Sequence, residues 1–302
     1  MTERISPTSD LGFKKITSEP SNKDVLRGII GDFFDLWIPL DEINVTAPYD
    51  IKSYEEYLRR LGGGEEISES LRQTVQDVAA DIKIADIGAE VQVRRDAYFS
   101  QRSLYYACTR FCSNYNLPGK MVYRYDGKPI RYSSLKPVYI LSILGCPHFI
   151  DDEDALRVFT LFDRKRGKAF EIEYLTVAFF ELSKNNIETV NQRHWKTFFQ
   201  NGAAPEGAPE YIKKAARVID RANMTQEERD MFDQLQKAQD TYDSVIYTAQ
   251  IEGEKIGEAR GEARMEKVVA SIVHNALHMG MTIAEVAKLT SKTEGEIRKL
   301  VH

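Results

Sequence analysis

Over residues 74–93 the chain changes period, and no other feature of it narrows the available folds as much. Ile82 and Ile84, then Ile87, Ala89, Val91 and Val93, put apolar side chains on every second residue, the spacing of a strand and not of a helix. The stretch reads as a β-hairpin. In its second arm the four apolar residues share one side, expected to face core, while Glu90 and Gln92 share the other, expected to be half-exposed and polar. The neighbouring segments have helical spacing. Leu26, Ile29, Ile30, Phe33, Phe34 and Trp37 predict a helix over 23–37, ended by Pro39, with a short strand at 43–47 and a loop at Gly62-Gly63-Gly64. After the hairpin a helix is expected over 97–115, with an apolar stripe of Leu104, Cys108, Phe111, Cys112 and Tyr115. Arg102 and Tyr106, four apart, share a different face. Apolar runs at 137–145, 159–162 and 172–182 read as further strands. This order of elements predicts an α/β core of roughly 190 residues.

Residues 199–210, rich in Gly, Ala and Pro, read as a linker, and everything beyond them reads as helix. The expected divisions are 1–198, the linker 199–210, a helical segment 211–262 and a tail 263–302. In the tail Thr282-x-x-Glu285 and Ser291-x-x-Glu294 have the form of capping boxes, predicting a helix at 283–289 and another after Ser291. Two short helices joined this way resemble a helix-turn-helix, and an oligomer contact is the equal alternative. Gly253, Gly257 and Gly261 recur every four residues, which favours close helix packing; the interleaved Glu and Arg exclude a membrane span. No run approaches the roughly 18 apolar residues that would cross a bilayer, and residues 1–10 contain no apolar segment of a secretory signal, so a cytoplasmic location is expected. Three cysteines, an odd number in a chain of 302 residues, argue against a disulfide framework.

Charge gives the first hint of a partner. The whole chain, with 41 basic and 46 acidic residues, carries −5, which taken alone argues against nucleic acid. Residues 94–137, however, hold nine Lys/Arg against two Asp, a local +7 that leaves −12 for the rest. Nine aromatic residues share that window, and cations interleaved with rings suit a nucleic-acid track. The plainer alternative puts the cations on solvated faces and the rings in core.

The hairpin supplies the chemistry. Two carboxylates on adjacent strands, beside a polar residue two positions on, can hold a Mg²⁺ ion and polarise water. Glu90 and Gln92 fill those roles on the second arm. Their first-arm partner depends on the turn: a tight turn at Ala85-Asp86 sets Asp81 opposite Glu90, and a turn over 82–85 sets Asp77 there. The apolar Ile82 and Ile84 favour strand and hence Asp81. Other candidates read as structure. His274 and His278 lie four apart on a helix but lack the rest of a metal site, Cys108 and Cys112 fall on the expected apolar stripe, and His148 and His194 stand as single residues without partners. Neither G-x-x-x-x-G-K-[ST] nor G-x-G-x-x-G occurs, so NTP hydrolysis and dinucleotide chemistry have no support.

Several pieces together resemble one family. Asp10-x-x-Phe13-Lys14, Asn22-Lys-Asp-Val-Leu26, the Asp77-Val78…Glu90-Val-Gln92 hairpin, Phe99-x-x-Arg102-Ser-Leu-Tyr-Tyr106, the strand after Lys136 and Phe180-Glu181-Leu182-Ser183-Lys184 look like the Rpn recombination-promoting nucleases, also called PD-(D/E)XK nuclease family transposases. The resemblance implies a restriction-endonuclease-like α/β core, a mixed sheet flanked by helices, with an all-helical C-terminal extension. Its spacing places the first metal carboxylate on Asp77, with Asp81 still open, and the second on Glu90. Gln92 then stands where the wider superfamily often has lysine, and it would orient water or phosphate through its amide. Lys14 or Arg102 would supply the missing cation, and Lys14, Arg94, Arg95, Arg102 and Tyr106 would contact nucleic acid. The implied activity is a Mg²⁺-dependent endonuclease, Mn²⁺ substituting, that cuts double-stranded DNA with weak sequence preference in recombination or transposition, with the C-terminal helices joining copies of the chain. The competing reading is a catalytically weak DNA-binding or assembly module that keeps the fold.

Overall fold

The computed structural model of the protein describes residues 4–45, 78–82, 85–93, 95–115, 123–170 and 174–301. Helix α1 (Asp10–Ser18) starts where the Ser9 hydroxyl accepts the Gly12 N–H, and α2 (Lys23–Phe34) follows after one 3₁₀ turn. The expected helix over 23–37 stops three residues early because Asp35 turns left-handed, φ 55°, and its N–H caps the Gly31 carbonyl. Trp37 therefore leaves the helix and lays its ring on Gly31, where a β-carbon would stand 2.5 Å from it.

A six-stranded sheet has the order β1-β2-β3-β6-β10-β7, with β1 (Ile43–Val45), β2 (Val78–Ile82), β3 (Asp86–Gln92), β6 (Val138–Leu144), β7 (Leu156–Phe159) and β10 (Leu175–Glu181). The β1–β2–β3 pairs are antiparallel, β3–β6–β10 run parallel, and β7 is antiparallel to β10. Helix α3 (Phe99–Ser113) makes the crossover from β3 to β6. Between them β4 (Arg124–Tyr125) and β5 (Lys128–Pro129) form a small hairpin of their own. The run expected as one strand at 159–162 is divided: β7 ends at Phe159, and β8 (Phe162–Asp163) pairs with β9 (Lys168–Ala169).

Alternation then decides what each face of the sheet meets. Val138, Ile140 and Leu144 of β6 and Val177 and Phe179 of β10 form one core with Phe99 and Ala107 of α3. The opposite face meets α2, where Phe33 packs edge-on to Phe180 and Phe34 to Tyr139. The centre of the sheet is thus covered on both sides, so the expectation of a half-exposed polar side on β3 fails: Glu90 is 4% exposed and Asp86 is buried too. The expected stripe on α3 is also displaced. Leu104, Cys108, Cys112 and Tyr115 are exposed, and the helix buries Phe99, Ser103 and Ala107. Asp86, Gly88, Glu90 and Gln92 occupy the strand positions beneath that face, and they call for small residues and hydrogen-bond donors above them.

The Gly/Ala/Pro segment does not divide two domains. Gly202, φ 68°, ends α4 (Val190–Asn201), Ala208 is buried, and α5 (Glu210–Val218) packs back with the Tyr211 ring against Gly28. Tyr211 and Trp195 both donate to Asp32 Oδ2 at 2.8 Å, tying α5 and α4 to α2. One compact unit runs over 1–234 and a second over 235–302. In the second, the end of α6 (Gln226–His278) shares a small core of Val273, Ala276, Val286, Ala287 and Ile297 with α7 (Ile283–Thr290) and α8 (Glu294–Val301). The Thr282–Glu285 capping box forms as expected. The second box is Thr293–Glu296, because Ser291 is used in a left-handed turn, φ 55°, that closes α7. Gly253, Gly257 and Gly261 have open space where a β-carbon would be, so among the described residues nothing packs closely on them. No helix is long and apolar enough to cross a membrane among the described residues.

Candidate active site between β3 and α3

Glu90 stands in the middle of the sheet, paired in register with Ser142 of β6 and overlaid by Ser103 of α3. Its Oε1 accepts from Ser142 Oγ at 3.0 Å and from Ser103 Oγ at 3.3 Å. Burial pushes the carboxyl above the usual carboxylate range, opposed by the Arg102 charge and the two hydroxyls and helped by the Asp96 charge. Two residues on, Gln92 Oε1 accepts from Arg102 Nη2 at 2.6 Å, and Arg102 Nη1 donates to Asp96 Oδ2 at 2.8 Å. The same guanidinium lies 4.9 Å from the centre of the Phe99 ring. Arg102 is thereby fixed at the carboxyl end of β3, four residues before the half-buried Tyr106.

That end opens on a shallow cleft lined by Gln92, Arg95, Asp96, Phe99, Leu144, Cys146 and His148. Carboxyl ends of parallel strands are where open α/β sheets receive ligands. His148, which looks isolated in the sequence, is well held here. Its Nε2 is 2.8 Å from Ser100 Oγ, its ring stacks on Phe179, and its N–H donates to Glu181 Oε1 at 2.6 Å. Glu181, 1% exposed, also pairs with Lys184 at 2.8 Å. Position alone could have found His148, since it follows the end of the apolar run that forms β6. Burial raises the Cys146 thiol pKa.

The opposite end of β3 is structural. Asp86 Oδ1 accepts from Arg110 Nε at 3.1 Å and Nη2 at 2.5 Å, and Oδ2 accepts from Asn114 at 3.1 Å. Arg110, one of the nine cations of the basic window, is thus committed to pinning α3 onto the strand. Among the other expected contacts, Arg95 is exposed at the cleft and Lys14 is half-buried on α1. Asp77 and Arg94 lie outside the described residues.

Asp81 is not the residue across from Glu90. The ladder sets Val78 against Ala89 and Asp81 against Asp86, so the register favoured by Ile82 and Ile84 is not adopted. The two registers differ by four residues and put the same side chains on the same faces, which is why alternation could not separate them.

Oxygen donors of this kind suit a hard divalent cation. One Glu90 oxygen is taken by the serines, and the burial that raises the carboxyl pKa is a cost that a bound cation would offset. Among the described residues no three His, Cys, Asp or Glu side chains cluster to hold a metal.

The family model for PD-(D/E)XK nuclease family transposases matches residues 7–249. No curated protein and no solved structure matches the chain. With its mixed sheet flanked by helices and the matched span covering most of its length, the chain belongs to the PD-(D/E)XK nuclease family transposases, and its function is nuclease-like.

Proposed function

We propose that the protein is a divalent-metal-dependent endonuclease of double-stranded DNA, with Mg²⁺ as the ion and Mn²⁺ as a substitute, acting with low sequence specificity in cytoplasmic recombination or transposition. The observation that supports this most is the Glu90–Gln92–Arg102 group at the cleft end of β3 in a chain of this family. Asp77 and Glu90 would hold the ion. The choice of Asp77 over Asp81 rests on the family spacing, and the register that pairs Asp81 with Asp86 leaves Asp81 away from Glu90. When bound, the ion supplies Lewis acidity and lowers the pKa of a coordinated water.

The remaining work falls to this chain's own side chains. Arg102 claims the Gln92 carbonyl oxygen, so the end of the amide that meets a phosphate oxygen is the N–H₂ donor. Asp96 and the Phe99 ring hold Arg102 in place, setting its charge beside the site where a lysine would otherwise supply one. Arg95, with Arg94, Lys14 and Tyr106, would grip backbone phosphates, contacts that position DNA without specifying bases. Copies of the chain would associate through the C-terminal helices.

Plasmid nicking with Mg²⁺ or Mn²⁺ tests the reading. The wild type should relax supercoiled plasmid. Asp77→Ala and Glu90→Ala should each lose at least about a hundredfold in rate, as expected when a group that stabilises transition-state charge is removed. Asp81→Ala should cut. A wild type that shifts the plasmid on a gel yet leaves it supercoiled would instead support the binding-module reading. Loss of cutting in Asp81→Ala alone would move the metal carboxylate to that residue.

A further inference from the structure

The basic, aromatic window does not form one track. Beyond α3 it rises into the β4–β5 hairpin, whose Asp126 and Gly127, φ 50° and 72°, make the two-residue turn that matches strand twist. The base of the hairpin is fastened to the end of α3: Ser134 Oγ donates to the Asn114 carbonyl at 2.7 Å, Ser133 Oγ accepts the Tyr123 N–H, and the Tyr132 ring packs on Tyr115. These contacts anchor the hairpin to α3. Cross-strand pairing of Tyr125 with Lys128, together with alternation, puts Tyr123, Tyr125, Lys128 and Ile130 on one face. Among the described residues that face is largely open: Tyr123 is 65% exposed, Tyr125 78% and Ile130 45%. Arg124, Lys128 and Arg131 are exposed too, against the single acid Asp126, in a chain that is acidic overall.

Single exposed rings are ordinary, and Tyr98 and Tyr105 are as bare, but Tyr123 and Tyr125 share one face with Ile130 and a cation. Tyr123 and Tyr125, two residues apart in extended chain, leave the backbone about 6.6–6.8 Å apart. Rings held parallel at that spacing would admit one planar base at about 3.4 Å from each, the rise between stacked bases. Paired bases in a duplex present their edges, not their faces, so the fit is to unpaired bases. Lys128, on the same face, is placed to meet a neighbouring phosphate, and Arg124 and Arg131 add positive charge to the hairpin around it. The hairpin is also remote from the cleft. From Arg102 to the end of α3 the helix rises about 16 Å, close to five nucleotides of strand.

We propose that the β4–β5 hairpin is a second nucleic-acid contact that stacks the unpaired bases of a single-stranded DNA segment between Tyr123 and Tyr125, several nucleotides from the cleft. The inference rests on the reading that the substrate is DNA, but not on cleavage. Its test is fluorescence anisotropy of the full chain with labelled oligothymidylate and with a duplex, both in a chelator. The wild type should bind the single strand. The Tyr123→Ala/Tyr125→Ala pair should weaken single-strand binding about tenfold or more, as lost base stacking requires, and duplex binding less than about twofold. Tyr125→Phe, which keeps the ring, should bind as the wild type does. Equal loss on both nucleic acids, no loss on the single strand, or a wild type that ignores single strands would each overturn the proposal. A wild type that binds single strands through these tyrosines and never nicks plasmid refutes the nuclease reading alone. One that nicks while the tyrosine pair is silent refutes the stacking alone.

Discussion

Glu90 holds a carboxyl deep in the sheet. Its carboxyl sits almost out of reach of water with two serine hydroxyls on one oxygen, and burial outweighs the Arg102 charge in setting its protonation. A carboxyl whose folded pKa lies above that of the unfolded chain favours the fold most when protonated. That contribution is complete below the unfolded value, 4.5, and is lost as pH rises through the folded one. In chelator, therefore, Glu90→Gln should melt above the wild type at about pH 8, and the difference should vanish below about pH 4. Divalent metal should reverse the order at high pH. At about a hundred times its Kd the ion adds about 2.7 kcal/mol to the wild type and nothing to Glu90→Gln. Calorimetry across pH, with and without Mg²⁺, reads both effects. A Glu90→Gln protein that melts lower than the wild type in chelator at high pH would show that the carboxylate is at ease where it lies.

Among the elements, α3 connects the site to its support, and its buried face differs from the one its apolar residues suggest. Ser103 and Ala107 face the sheet with no bulk to spare, while Leu104, one position on from Ser103, is 53% exposed. Leu104→Ala should change stability by less than about 0.5 kcal/mol, as surface substitutions do. Ala107→Leu, pressing alkyl volume into the packed layer of Ile140 and Val177, should cost about 1–3 kcal/mol in urea denaturation. The reverse ranking would restore the apolar stripe. This element also shows where sequence reading stops. The hairpin, β6 and the capped α7 were legible because period, breakers and capping residues act over a few neighbours. The face of α3 was not, since it is chosen by a strand surface bearing Asp86, Glu90 and Gln92, which rewards donors over hydrophobes. The hairpin's face pattern was likewise legible but not its register, since two pairings share one parity. The Glu90–Gln92 pair could be read from residue type and spacing. Its supports, Ser103, Ser142 and Asp96, come from three elements that only the fold brings together.

At the scale of the whole molecule, the +7 window separates into three uses: Arg110 pins α3, Arg95 and Arg102 stand at the cleft, and Arg124, Lys128 and Arg131 rise on the hairpin. The division of the chain follows the same lesson, that composition marks a segment without saying what it joins. A chain ended at 210, where the Gly/Ala/Pro segment suggests a boundary, would lose the Tyr211 hydrogen bond to Asp32, the buried Ile212, Ile219, Met224, Met231 and Phe232, and the Glu228 carboxylate that pairs with Lys15. Each large buried side chain is worth about 2–5 kcal/mol, so the five together match or exceed the roughly 5–15 kcal/mol by which a domain is stable. A chain ended after Gln234 keeps all of them, along with the Arg221–Asp233 ion pair. The 1–234 protein should therefore unfold in one cooperative urea transition and keep metal-dependent nicking, while the 1–210 protein should show no such transition. Cooperative unfolding of 1–210 would mean that α5 and the start of α6 only lean on the sheet, and that the proline-rich segment is the domain border after all.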